Sequence, residues 1–348
     1  MMDRKLKIIL NIMATAVLAL FLWWAQTNLG AYHTQILNLI AVNIILALSL
    51  NLIYGFTGMF SLGHAGFMAI GAYTCSILIM TPAQKEMLFI LQKAYPWVQE
   101  AAAPFVVAVI AGGLIAALVG LVVGAPLLRL GDDYLGIATL GFAEIIRVLA
   151  NNIPRITNGA LGFKGIPGYG NIWWNFGWCL FALYFIVRIV NSNFGNALMA
   201  IRDDEPAAKA MGINIFRYKL LSFTIGSFFA GIGGALLASL LNTIDPKMFL
   251  FTLTFNVLMI VVCGGLGSLT GSVLASIAIT ILLEWLRFVE YPLFIGDFEL
   301  KGIPGMRMVV FSLALLLIIL FRREGLMGTR EFRWEWLVGL IRKRGEVK

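Results

Sequence analysis

Residues 197–219 read ALMAIRDDEPAAKAMGINIFRYK, a charged, helix-forming island in a chain that is otherwise almost continuously apolar. The island must face water. Around it, 60% of 348 residues are apolar and 13% are charged, against roughly 25% charged in an average soluble domain. The mean hydropathy is +0.89. One soluble core cannot hide that much apolar surface, so the composition specifies an all-α integral membrane protein.

Apolar runs of about 20 residues cross a hydrocarbon core of about 30 Å as helices. About ten such runs are expected, at 8–27, 34–54, 61–80, 104–128, 134–150, 173–190, 218–241, 252–268, 269–289 and 305–321. The Gly-rich boundary between 252–268 and 269–289 reads as a tight hairpin or a broken helix. The first run follows Arg4, Lys5 and Lys7 in the manner of a signal peptide, yet no small-residue cleavage pattern stands before the next run, which reads as an uncleaved first helix.

Lys and Arg near span ends favour the cytoplasmic side. With the amino terminus inside, the inner segments collect Arg4, Lys5, Lys7, Arg129, Arg202, Lys209, Arg217, Lys219 and the basic residues from Arg322 to Lys348. The outer loops keep only Lys85, Lys93, Arg155, Lys164, Lys247 and Lys301. Both termini and the island at 191–219 are therefore expected in the cytoplasm. This divides the chain into a polytopic unit over 1–328 and a basic tail over 329–348, whose Trp334, Trp336 and Leu337 beside Arg342, Lys343 and Arg344 suit a membrane interface. The net charge of +8 needs no nucleic acid to explain it, because anionic lipid attracts the same residues.

Metal and nucleotide chemistry find little support. Cys75, Cys179 and Cys263 each sit alone in an apolar run, as small packing residues do. His33 and His64 are the only histidines, too few for a zinc set without paired cysteines. No Gly-x-x-x-x-Gly-Lys-Ser/Thr loop occurs, and no cofactor is expected. The glycines in NLIYGFTGMFSLGHAGFMAIGAYT (51–74) and in CGGLGSLTG (263–271) match no dinucleotide fingerprint. They serve either close helix packing or, around 55–66, a broken helix whose bare backbone needs a polar lining.

Polar side chains within apolar runs are costly and mark candidate pathways. Asn43 and Asn51, eight residues apart, lie near one helical face, and Thr57, Ser61 and His64 crowd the glycine cluster. These five are the candidate substrate pathway. Glu144 with Arg147, and Glu284 with Arg287, stand at a spacing that allows pairing on one helix. In the island, Asp204 is a good N-cap, Glu205 favours the positive end of a helix, and Pro206 is acceptable in its first turn. A short helix is expected from Asp204 through Met211, stopping at Gly212. It lies on the membrane as an amphipathic loop helix or docks into another protein.

Glu205-Pro-Ala207-Ala208 followed by Gly212 resembles the coupling loop of the membrane subunits of ABC importers, and residues 199–236 as a whole resemble the branched-chain amino acid permeases of the LivM type. The stretches 51–74, PLLRLGDDYLGIATLGFAEIIR (126–147), ITNGALGFKGIPG (156–168) and VVCGGLGSLTG (261–271) are similar to hallmarks of the same family. Two positions depart from it: Asn158 precedes Gly159 where a Gly-Gly pair is usual, and Arg323 replaces a common proline. The resemblance implies a permease subunit without its own ATPase, translocating leucine, isoleucine or valine across a bacterial inner membrane. Its partners would be a second homologous permease, two ATP-binding cassette subunits and an extracytoplasmic solute-binding protein. Asp204, Glu205, Ala207, Ala208 and Gly212 would form the ATPase-coupling loop. A urea or short-chain amide permease is the alternative substrate reading, and an ion-coupled secondary transporter the alternative class.

Overall fold

The computed structural model describes residues 4–90, 92–290, 293–295 and 298–300, with shorter pieces between 305 and 331. Helices dominate because an apolar run in lipid has only its own backbone to hydrogen-bond. α1 (Arg4–Asn28) and α2 (Ala31–Asn51) come first, and α2 continues through a π-helical turn at Leu52–Phe56. An irregular segment at 57–63 leads to α3 (His64–Ile79), which meets α4 (Pro82–Leu88) at a bend of 118°. The bend has a local cause. Thr81 caps a new helix through the Gln84 amide, and Pro82 has no amide to continue the old one.

The chain then forms α5 (Pro96–Glu100), α6 (Phe105–Leu127), α7 (Asp132–Asn152), α8 (Pro154–Thr157) and α9 (Ile172–Val190). α10 (Asn193–Asp203) and α11 (Glu205–Ala210) build the charged island, and α12 (Ile215–Leu241), α13 (Phe251–Gly264) and α14 (Leu269–Trp285) return to the bundle. β1 (Phe163–Lys164) pairs antiparallel with β2 (Thr243–Ile244), and β3 (Leu293–Ile295) pairs with β4 (Phe298–Leu300).

Among the described residues six helices are long and apolar enough to cross a membrane: α1, α2 with its π-turn, α6, α7, α9 and α12; counting the bent α3–α4 pair makes seven. This narrows the expectation of about ten. The runs at 252–268 and 269–289 became α13 and α14, of 14 and 17 residues, which rise about 21 and 26 Å at about 1.5 Å per residue. They form the tight hairpin, joined by residues 265–268 and packed on one another. Most of 305–321 lies outside the described residues, as does the tail over 329–348 apart from Arg330 and Glu331.

α12 is the centre of the bundle, packing chiefly on α6, α3 and α2. Without a hydrophobic drive between helices in lipid, close backbone approach supplies the attraction. Gly71 of α3, Gly112 of α6 and Gly231 of α12 meet at one crossing. A Cβ on Gly71 would stand 2.0 Å from the Gly231 carbonyl oxygen, and one on Gly112 would stand 2.8 Å from that of Gly71. α1 has the opposite character: Ile12, Val17, Leu20 and Trp23 are exposed, and its chief contact is with α9. Lipid suits that surface.

At the bundle end opposite the island, Asn158 adopts φ 60°. Asparagine visits this left-handed region more readily than other side chains, and its Nδ2 donates to the Gly162 carbonyl at 2.8 Å. Asparagine thus meets the backbone requirement at the position where the resemblance raises the expectation of glycine. Arg323, the second departure, lies outside the described residues.

Gly71→Ala is expected to lower the thermal stability of the purified chain in detergent, because two backbones must part, at a cost of about 1–3 kcal/mol. Gly177→Ala on α9, where a Cβ meets nothing within 4 Å, is the control and should leave the melting temperature unchanged or raised.

Candidate functional site

The island folds as its local chemistry dictates. Asp204 accepts the Ala207 amide at 2.9 Å, so α11 starts at Glu205 with Pro206 in its first turn. The helix closes when the Gly212 amide reaches the Lys209 carbonyl at 3.0 Å and the Ile213 amide reaches that of Ala208 at 3.1 Å. That pairing requires a left-handed residue between them, and Gly212 has φ 82°. The short helix is thereby capped at both ends.

Its orientation is set by two anchors. Glu205 pairs with Lys219 on the first turns of α12 at 2.7 Å, and the Lys219 side chain is nearly buried. Ala208 faces inward and is buried, whereas Ala207, Lys209, Ala210 and Met211 face out, with Met211 84% exposed. Beside the helix lies an open cleft of about 930 Å³, bordered by Leu128 and Gly131 on one side and Glu205, Pro206, Lys209 and Phe216 on the other. Arg129 lies over the Phe216 ring, 5.8 Å from its centroid.

Arg202, in the last turn of α10, joins the island to the bundle. Its Nη1 donates to the Gly55 carbonyl at 2.9 Å, and Asp203 holds the rest of the guanidinium at 2.8 Å. Gly55 lies in the π-helical turn that ends α2. Such a turn leaves carbonyls without regular partners, and four of them have found one. The Leu52 carbonyl accepts from Thr57 at 2.8 Å and from Ser222 at 3.3 Å, that of Ile53 from the Met59 amide, that of Tyr54 from the Gly58 amide, and that of Gly55 from Arg202.

Asn51 binds this turn to the second glycine cluster. Its Oδ1 accepts the Gly267 amide at 3.0 Å, and its Nδ2 donates to the Ser268 carbonyl at 2.9 Å and to Ser272 Oγ at 2.8 Å. One amide side chain thus closes the α13–α14 hairpin onto α2. The contact admits no side chain at Gly55, where a Cβ would stand 2.4 Å from the Gly267 amide nitrogen. Below the hairpin, the Glu331 carboxylate accepts from the Leu269 and Thr270 amides at 2.5 and 3.1 Å, an acid at the positive end of α14.

The remaining pathway candidates lie around the break at 57–63. α3 begins inside the bundle, and its first amides are met by side chains of other helices: Leu62 donates to Thr139 on α7 and Ala65 to Thr254 on α13, both at 2.9 Å. The glycine cluster at 55–66 is therefore a break with a polar lining, and its neighbour Gly71 serves packing. Thr57 bonds Ser222 at 2.6 Å, and Ser61 is buried with the Gly63 amide 3.4 Å from its hydroxyl. Ser49 gives its proton to the Leu46 carbonyl, so in its 2.8 Å contact with His64 the ring Nε2 is the donor. Asn43 donates to Thr280 at 2.8 Å; it and Asn51 share a face, as their spacing requires, and both grip α14.

The structure therefore gathers Asn51, Thr57, Ser61 and His64 around one discontinuity and places Asn43 two turns away along the α2–α14 seam. Glu284 and Arg287 pair at the far end of α14, where Tyr32 donates to Glu284 at 2.7 Å. Sequence reasoning missed Arg202, Thr139, Thr254 and Glu331. Arg202 was counted only as a positive charge, and nothing in its immediate neighbours signals a carbonyl 147 residues away. Among the described residues, no three His, Cys, Asp or Glu side chains gather to hold a metal ion.

Comparison with known proteins gives these features a context. The family described as the permease component of branched-chain amino acid transport systems matches residues 32–320. The chain is 34% identical over 292 residues to the high-affinity branched-chain amino acid transport system permease protein LivM of Escherichia coli, covering 74% of this chain and 64% of the relative, so it spans just under two thirds of that relative's length. It is 28% identical to the probable branched-chain amino acid transport permease protein LivM of Methanocaldococcus jannaschii, over 62% of this chain and 66% of the relative. It is also 23% identical to the LivH permease protein of the Escherichia coli system, over 68% of this chain and 79% of the relative. No solved structure matches the chain. With most of its spans inside the matched region, the chain belongs to the family of branched-chain amino acid transport system permease components.

Proposed function

We propose that this chain is one permease subunit of an ATP-driven ABC importer that carries leucine, isoleucine or valine across a bacterial inner membrane. It works with a second, homologous permease, two ATP-binding cassette subunits that bind and hydrolyse ATP, and an extracytoplasmic solute-binding protein. Both termini and the loop at 191–219 lie in the cytoplasm, in keeping with the bias of basic residues. The observation that carries this reading is the island itself. A helix of six residues, capped at both ends, exposed along Ala207, Ala210 and Met211 and pinned from behind by Glu205, Ala208 and Arg202, is a built contact surface. A helix lying on lipid by its apolar face has no need of such anchoring.

In this reading Asp204, Glu205, Ala207, Ala208 and Gly212 form the coupling loop. Ala207 meets the ATP-binding subunit, while Asp204, Glu205, Ala208 and Gly212 hold the loop in shape. A push on α11 passes through Arg202 to the Gly55 carbonyl, and from there through Asn51 to the α13–α14 hairpin. Asn43, Asn51, Thr57, Ser61 and His64 hydrogen-bond across the helices at that junction, and parting those helices turns them toward a passing solute. Relatives bearing the printed description of branched-chain amino acid transport support the choice of substrate.

Pull-down of the tagged chain in mild detergent, with partners identified by mass spectrometry, is expected to recover ATP-binding subunits and a second permease. Gly212→Asp places a side chain at φ 82°, a local cost of about 1–2 kcal/mol that is too small to unfold the bundle. It should weaken recovery of the ATPases while the chain still inserts and melts normally. Recovery of the chain alone, under conditions that preserve other membrane complexes, would oppose the importer reading.

Arg202→Ala leaves the Gly55 carbonyl without its donor, at a cost of about 1–3 kcal/mol. In vesicles containing the assembled importer it should retain bound ATPase subunits and ATP hydrolysis yet lose most leucine uptake. Unchanged uptake would remove Arg202 from the transmission route.

A further inference from the structure

Among the described residues Glu144 is the one acidic side chain within the apolar spans of the six long helices, Asp132 and Asp133 preceding the span of α7, and α7 presents it outward. It stands ten residues beyond Tyr134, where the apolar part of α7 begins. At about 1.5 Å per residue that is about 15 Å along the axis, near the midplane of a core about 30 Å thick. Arg147, one turn on, donates its Nε to both carboxylate oxygens, at 3.0 and 2.9 Å, and its Nη2 to Oε1 as well. The pair is satisfied internally but not covered by this chain: the Glu144 side chain is 47% exposed and that of Arg147 25%.

Position separates this pair from the similar one on α14. Glu284 is the next-to-last residue of its helix and bonds Tyr32 in the first turn of α2, at an end of the bundle that water reaches. Glu144 has no such escape. Charges in mid-span are rare on lipid-facing surfaces and face protein or a water-filled cavity instead. The rest of the face agrees. Tyr134, Ile137, Gly141, Glu144 and Val148 recur at helical spacing and are all exposed, and a Cβ at Gly141 would meet nothing within 4 Å. By contrast, the exposed Leu114, Leu118 and Val122 of α6 are purely apolar and suit lipid.

We propose that the Tyr134–Val148 stripe of α7 is the surface this chain turns toward a homologous permease, with the Glu144–Arg147 pair in a water-filled seam between the two. The proposal rests on the pairing put forward above and deepens it by placing the partner. A relative of this chain is the counterpart that fits, because both the LivM and the LivH permeases of one named transport system are similar to it. Two homologous chains meeting about a pseudo-twofold axis present like faces to one another, and Gly141 lets the facing helices approach closely. The stripe also begins beside Gly131, which borders the cleft at α11. A partner seated on it brings its own loop end alongside the first, where ATP-binding subunits would span both. In the seam, water solvates the ion pair along the line that a zwitterionic amino acid would travel.

The test is site-directed photocrosslinking in cells that make the full chain together with its native partners, with benzoylphenylalanine placed at Ile137 or Val148 and, separately, at Leu118 or Val122 of α6. Adducts are identified by mass spectrometry, and co-purification of the unmodified chain reports the pairing independently. The expected result is adducts with a homologous permease from the α7 positions and none from α6, together with reaction of a Gly141→Cys variant with a membrane-impermeant thiol reagent. The native cysteines are buried and provide the background. If a permease co-purifies but crosslinks only from α6, or the α7 positions capture only lipid, the assignment of the seam is overturned while the pairing stands. If no homologous permease co-purifies or crosslinks from any position, the pairing itself fails and the seam with it.

Discussion

An amide or carbonyl left bare among apolar helices costs several kcal/mol, and this chain interrupts its helices twice within the bundle. Everything near the candidate site follows from how those interruptions are satisfied. The π-turn at the end of α2 is met by Thr57, Ser222 and Arg202, the start of α3 by Thr139 and Thr254, and the α13–α14 hairpin by Asn51. Each partner comes from a different element, so the breaks act as staples. Seven helices, α2, α3, α7, α10, α12, α13 and α14, are tied to one another at the places where the ladders of α2, α3 and the hairpin stop.

The same constraint gives the charged loop its reach. A surface helix tied only by apolar packing would slide, whereas α11 is fixed by an ion pair to α12 and, through Arg202, by a hydrogen bond to a backbone carbonyl inside the bundle. The Arg202–Gly55–Asn51–Gly267 connection is short and built of directional bonds. It has no slack to absorb a displacement at its outer end. That is the mechanical property required of an element that transmits nucleotide-driven closure to membrane helices.

Local chemistry was legible in the sequence and long-range pairing was not. Asp204, Pro206 and Gly212 announce a capped helix because capping needs only neighbours in the chain, and the structure places its ends as those residues require. The apolar runs locate the helices because lipid imposes length; what they do not give is which runs cross fully, and α13 and α14 proved shorter than their runs. The cluster at 55–66 read equally as packing or as a break. Glycine serves both, and the decision lies with Thr139, Thr254 and Arg202, between 77 and 189 residues away in their hydrogen bonds. Glu144 and Arg147 read as a pair from their spacing alone, but the spacing is silent on whether the pair is covered.

If ATP drives movement of this bundle through the island, as proposed, the energy dependence of leucine accumulation by the assembled native complex shows it most directly. ATP and the ion gradient are removed one at a time in cells carrying the chain with its partners. Accumulation is expected to stop when ATP is depleted with the gradient held, and to persist when the gradient is collapsed with ATP maintained. Accumulation that follows the gradient and survives loss of ATP would contradict the proposal and make the chain an ion-coupled transporter.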